Sequence, residues 1–214
     1  MFEYYGKGYI NGYERQYNII GKGVFMYYLW MAVGFIMFIS VNTMAVEERP
    51  YTVMDKDDAI EIRDYTRVIT ADVVTTGERG EAATKAFRIL VEFIKGSNDT
   101  NLQIPMTAPV SQTAIDENQW NVSFYMPSDM SKNRMPRPVD NRITITEVKG
   151  AQMAVIRFSG TAHQENLDRH ERQLRDFLKT NKYDIVDKVI YAFYNPPYIP
   201  WFLRRNEILI EVKL

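Results

Sequence analysis

Two histidines, a pair of adjacent arginines and scattered methionines are the side chains best suited to chemistry in this 214-residue chain, which contains no cysteine. The lack of cysteine removes disulfides, thiol nucleophiles and thiolate ligands from consideration. With only His163 and His170, a multi-histidine metal centre is not expected. His163, Leu167, His170, Leu174 and Leu178 recur at spacings of four, three, four and four. At 100° per residue this puts both histidines on the leucine stripe of one helix. His170 should therefore face a sheet or a pocket, either as an axial ligand to haem iron or as a core histidine satisfied by one hydrogen bond. His163, near the helix start, reads as a surface residue. Met106 and Met126 flank a proline-broken segment, where a thioether can ligate iron, pack against a planar ligand, or simply fill a core. Arg204 and Arg205 can grip carboxylates in bidentate fashion, or form an internal ion pair with Glu207 or Asp64 that fixes their loop.

Other chemistries lack their patterns. Ser159-Gly160 lies near His163 without a nucleophile elbow around it, Gly77 and Gly80 lack the phosphate-loop spacing, and Asp55, Asp57 and Asp58 read as a solvated turn. No catalytic residue is assigned, and an enzyme is not expected. A net charge of -1 offers nothing to a nucleic acid, and no protein partner can be inferred.

The elements that must position these residues fall into two regions. Residues 1–22 form a Tyr- and Gly-rich tail. No charge occurs from Gly23 to Val46, and the run is apolar on every face; about 20 such residues suffice to span a bilayer. An uncleaved anchor is the favoured reading. A signal segment cleaved after Ala45 is the alternative, since Thr43-Met44-Ala45 carries small residues at peptidase positions. Lys7, Arg15 and Lys22 ahead of the run lean toward an N-terminus in the cytoplasm and a domain outside it, either membrane-anchored or exported.

Residues 51–214 are expected to form the globular domain. Ala59 to Arg63 alternates as a half-buried strand, and Thr66 to Thr75 is rich in β-branched residues. A helix is expected over about Glu81 to Lys95, with an apolar stripe through Ala83, Ala86, Phe87, Leu90 and Ile94 and a left-handed cap at Gly96. Leu102 to Gln112 is a broken strand, and Trp120 to Met126 alternates. The order then repeats at an offset of roughly 83 to 87 residues: strands near Arg142 to Lys149 and Gln152 to Ser159, a helix from about Ala162 to Thr180 with a capping box at Thr161 and Gln164, then strands Ile185 to Tyr194 and Glu207 to Leu214. Two ββαββ halves imply an α+β domain with a largely antiparallel sheet and two covering helices. The Met130 to Asn141 stretch joins them.

Proline marks two further stretches. Gln103-Ile104-Pro105-Met106-Thr107-Ala108-Pro109-Val110 reads as a bent sheet edge at a pocket rim, because proline lacks the ladder donor. Tyr194-Asn195-Pro196-Pro197-Tyr198-Ile199-Pro200-Trp201-Phe202-Leu203-Arg204-Arg205-Asn206-Glu207 has the same character. With Ile60-Glu61-Ile62-Arg63-Asp64-Tyr65 and Lys95-Gly96-Ser97-Asn98, these stretches make residues 51–214 resemble the SOUL haem-binding family. The resemblance implies a distorted antiparallel β-barrel flanked by two helices. It also implies non-enzymatic binding of haem or another tetrapyrrole in an apolar surface groove. Mapped onto this chain, the groove would use Phe87, Leu90 and Val91 of the first helix, Met106, and Tyr198, Trp201 and Phe202 of the proline loop, with Arg204 or Arg205 on the propionates and His170 as candidate ligand. The chain departs from the family where some members carry a histidine before the first helix. Glu92 and Ile199 also stand where basic side chains would aid the propionates. A related reading is a module for other small amphipathic ligands, similar to bacterial effector-binding domains.

Overall fold

The computed structural model describes residues 46–186 and 188–213. The chain divides into Met1–Ala45 and a compact unit Val46–Leu214. The expected 23–46 span lies, apart from Val46, outside the described residues. Among the described residues no helix is long and apolar enough to cross a membrane.

The strands are β1 (Glu47–Glu48), β2 (Tyr51–Asp57), β3 (Ile60–Tyr65), β4 (Val68–Thr76), β5 (Thr107–Ala108), β6 (Val110–Asp116), β7 (Gln119–Tyr125), β8 (Ile143–Val148), β9 (Ala151–Phe158), β10 (Asp184–Ile185), β11 (Ile190–Phe193) and β12 (Asn206–Lys213). The helices are α1 (Arg79–Ile94) and α2 (Gln164–Thr180). Strands β2-β3-β9-β12-β11-β6-β7-β4-β8 form one curled sheet in that order, with β10 paired to the end of β12; every pairing in it is antiparallel. β1 pairs in parallel with β5 beside it. The α+β class, the two covering helices and the repeated strand–strand–helix–strand–strand order follow the sequence expectation. The sheet is a half-barrel and does not close: β2 and β8 are free edges among the described residues.

Alternation decides which face each helix covers. Ile60 and Ile62 of β3, Ala154 and Ile156 of β9, and Ile208, Ile210 and Val212 of β12 point to one face, where Leu167, Leu174 and Leu178 of α2 close a core. Ala71, Val73, Val122 and Phe124 meet Ala86, Leu90, Phe93 and Ile94 of α1 in a second core. The helical stripe repeats every three to four residues and the strands every two, so both elements present continuous apolar faces.

Three local expectations differ from the structure. The proline-broken stretch is not a sheet edge. β6 is central, bonded to β7 and β11, and the prolines lie outside its ladder: Pro105 precedes β5, and Pro109, after a cis bond, separates β5 from β6. No capping box forms at α2, whose N-cap is His163 with no side-chain cap bond. The Asp55 and Asp57 region is an exposed edge strand, β2, bulged between Val53 and Asp55. Gly96 does adopt the left-handed conformation (φ 115°). A side chain there would also press within 3.3 Å of the Asn101 carbonyl oxygen. Buried Asn98 then organises the following loop, donating to the Phe93 and Leu102 carbonyls and accepting from Thr100 and Leu102.

Candidate functional site

Three segments converge at one end of the sheet. Strand β6 begins at Val110, which pairs with Phe193 at the end of β11; Phe193 pairs with Asn206 at the start of β12. The chain between those strands, residues 194–205, therefore projects from this end. Glu47 and Glu48 sit there too, paired with Thr107 and Ala108. β9 ends opposite Asn206, and the Gly160 amide behind it donates to the Trp201 carbonyl at 3.0 Å.

The projecting loop is cross-linked by its own hydrogen bonds. A 3-10 turn over Trp201–Leu203 follows the Pro196 turn, with the Ile199 amide donating to the Pro196 carbonyl and the Leu203 amide to the Pro200 carbonyl. Arg204 donates to the carbonyls of Ile199 (2.7 Å) and Pro197 (2.5 Å), clamping the loop from inside. Its apolar side chains face out: Tyr198 is 80% exposed, Trp201 59%, Phe202 57% and Leu203 65%. Met106, on the neighbouring segment, is half exposed.

The first helix contributes one aromatic. Phe87 is exposed at 40% and packs edge-on against Phe124 at 5.5 Å. Phe124 pairs across β7 and β6 with Val110, and Val110 with Phe193. An apolar row thus runs on the helix face from α1 toward the base of the loop. Val91 is half-buried. Leu90 faces inward, fully buried in the α1 core, so its methyls fill the core and offer a ligand no surface.

The two arginines serve structure. Arg204 is occupied by the loop carbonyls. Arg205 pairs with Glu48 (2.8 Å) and Glu207 (2.9 Å) and lies over the Tyr194 ring at 3.7 Å, the ion pair with Glu207 that the sequence left open. Its Nη2 sits 2.9 Å from Glu207 without hydrogen-bond alignment, and is the one buried side-chain polar atom among the described residues lacking an aligned partner. On the other side of Glu207, Arg63 makes bidentate bonds at 2.9 and 3.1 Å and also holds Glu61 and the Tyr65 hydroxyl. The Tyr194 hydroxyl donates to Glu207 at 2.7 Å. Burial above all holds the Tyr65 and Tyr194 hydroxyls well above the ordinary phenol pKa, so both remain protonated, Tyr65 accepting from Arg63 and Tyr194 donating to Glu207. This charged cluster lies on the face opposite α2. Sequence reasoning missed it because Arg63 and Glu207 are 144 positions apart; the only signal was their presence in two of the four signature stretches.

His170 is a satisfied helix residue. Its Nδ1 lies 2.7 Å from the Asn166 carbonyl, one turn back, and its ring stacks on Phe158 at 3.9 Å, 12° from parallel. Burial lowers its pKa below the ordinary 6.5, partly opposed by the Asn166 bond. Among the described residues no group of three or more His, Cys, Asp or Glu side chains is arranged to hold a metal ion.

For a haem-sized ligand this end fits in one respect and not in another. Tyr198, Trp201, Phe202, Phe87 and Met106 are exposed apolar side chains, of the kind a porphyrin face would meet. The arginines expected on the propionates are already bound to carbonyls and carboxylates.

Known proteins share this fold and parts of this sequence. The C-terminal domain of EcmrR superposes with a TM-score of 0.58 at 11% identity, over 76% of this chain and 98% of that one. A hydrolase from Listeria innocua gives 0.51 at 12%, over 75% and 94%. At such identity the likeness concerns fold alone. In sequence, "Heme-binding protein 1" of Sus scrofa is 27% identical over 175 residues, covering 77% of this chain and 92% of the relative. "Heme-binding protein 2" of Homo sapiens is 27% identical over 139 residues, covering 62% and 67%. The profile of the SOUL heme-binding protein family matches residues 46–211. Its match takes in both proline stretches, Arg63 and Glu207, and the chain belongs to the SOUL heme-binding protein family.

Proposed function

We propose that this protein binds haem or a related tetrapyrrole non-enzymatically at the loop end of the sheet, for carriage or buffering, and that the apolar 23–46 segment tethers it to a membrane or exports it. One observation carries the reading: Tyr198, Trp201, Phe202 and Leu203 are held exposed by an internally hydrogen-bonded loop beside the Phe124–Val110–Phe193 row. Family membership supplies the ligand class. Haem would bring its own iron chemistry; the protein's part is to shield a porphyrin face with Phe87, Met106, Trp201 and Phe202 and to keep the loop in place through Arg204 and Arg205. Covering a large apolar side chain contributes about 1.5–3 kcal/mol. Association costs several kcal/mol, so contacts of this kind without a charged clamp support micromolar binding, about −8 kcal/mol.

The test is a haemin titration of residues 46–214, which form a compact unit. A saturable Soret shift at micromolar protein is expected; its absence refutes the reading. His170→Ala should leave the band unchanged, because that ring is engaged with Asn166 and Phe158. The commitment of both arginines favours a second reading, in which the ligand is a small amphipathic molecule without propionates. Native mass spectrometry of protein isolated from its source separates the two, since co-purified haem counts against the second.

A further inference from the structure

We propose that the Tyr198–Leu203 loop is a bilayer-contact surface, seated at the phospholipid interface when the full chain is in its membrane. Three observations meet. The loop exposes four large apolar side chains within six residues, more than a soluble surface ordinarily gathers on one tip. Trp and Tyr among them are the side chains that settle at the headgroup level, with an apolar body and a polar edge. The loop is held in shape by its own carbonyl bonds to Arg204, so insertion costs little further ordering.

Chain connectivity supplies the second argument. The base of the loop, Arg205, is ion-paired to Glu48 at 2.8 Å. Glu48 lies two residues beyond Val46, where the uncharged run from Gly23 ends. Two residues reach about 7 Å at most, and the headgroup region is about 5–7 Å deep on each side of the hydrocarbon. If the run lies in the bilayer, Glu48 and the loop base it holds are at its surface. Charge agrees with this. Leu203 shares the rim of a cavity of about 320 Å³ with Lys56, Asp58, Glu61 and Arg157; Lys56 is paired with Glu61 at 3.0 Å, and Arg157 is exposed with no ion-pair partner among the described residues. A cation there faces anionic headgroups favourably.

This surface rests on the membrane tether proposed above and uses the same loop side chains as the haem reading, so the two are read by separate experiments. The chain has no cysteine, so single nitroxide labels can be placed in the full protein reconstituted in phosphatidylcholine–phosphatidylglycerol vesicles. Leu203→Cys should give a label more accessible to oxygen than to a water-soluble nickel chelate. Glu117→Cys, in the turn at the opposite end of β6, about 20 Å along the strand from Val110, should show the reverse order. Equal, water-like accessibility at both positions overturns the proposal. Trp201 emission in the Trp30→Phe, Trp120→Phe chain provides a second readout. Quenching by lipids brominated near the headgroup is expected, and an unquenched, water-exposed spectrum also overturns it. The Soret titration reports on the haem reading separately.

Discussion

Glu207→Gln should be among the most damaging conservative substitutions in the domain. The Glu207 side chain is fully buried and the Arg63 side chain 2% exposed, and Glu207 is bound by Arg63, Arg205 and Tyr194 at once. An amide keeps the volume but turns one acceptor into a donor facing two guanidinium groups. Breaking a buried pair in this way costs about 3–5 kcal/mol, a large part of the 5–15 kcal/mol of a typical domain. With a urea slope of about 2–3 kcal/mol/M, the midpoint of residues 46–214 should fall by about 1–2.5 M. Arg63→Met should cost less, because Glu207 keeps Arg205 and the Tyr194 hydroxyl. Combining Arg63→Met with Glu207→Leu should cost less than the sum of the single changes, since no unpaired charge is left between β3 and β12. A shift below about 0.3 M for Glu207→Gln, or strict additivity in the double variant, would refute the account of this cluster as coupled.

Other outcomes follow from the geometry. Leu90→Ala should destabilise by about 2–5 kcal/mol in urea unfolding and leave haemin affinity unchanged, while Trp201→Ala should weaken haemin binding and barely move the unfolding midpoint. Arg204→Ala should make the 195–204 loop a preferred site of limited proteolysis, because two carbonyls lose their shared donor. His170 has a pKa lowered in the fold, so the unfolded chain takes up its proton first and stability rises with pH; that contribution should be complete above about 6.5 and decline as pH falls below it, and His170→Phe should flatten this part of the urea-midpoint profile. Asp140, held at about 2 by its bonds from Arg142, should titrate higher in Arg142→Ala but only part of the way to its ordinary value, because the backbone amide of residue 142 still donates to it, read by carboxyl NMR.

The fold was largely written in periodicity. The α1 and α2 stripes and the alternating β3, β7, β8 and β12 could be read because each carries an apolar face that repeats with its element's period; β3 and β12 bury their second face as well, through Arg63, Tyr65, Glu207 and Leu209. β2 escaped because it buries almost nothing, so Asp55 and Asp57 looked like a turn. β6 was misplaced because Pro105 and Pro109 were counted as part of the strand when they only precede it. The loop residues Tyr198, Trp201 and Phe202 were found through their motif, but the destination of each arginine depended on partners distant in sequence. Leu90 shows the same limit. Helical spacing puts it on the apolar stripe, but cannot tell the part of the stripe that meets the sheet from the part beside it that Phe87 leaves open.

The open half-barrel leaves two strand edges, and they differ in how well they resist adhesion. β2 alternates charge through Asp55, Lys56 and Asp57 and carries a bulge that twists its outer ladder, both recognised defences against pairing with a neighbour. β8 reads Ile-Thr-Ile-Thr-Glu-Val without a bulge, its one charge partly neutralised by Arg67. Any self-association of this domain by strand addition should therefore run through β8. A threonine-to-lysine change at Thr144 or Thr146, both outward-facing there, should suppress aggregation at high protein concentration, and the same change on β2 should not.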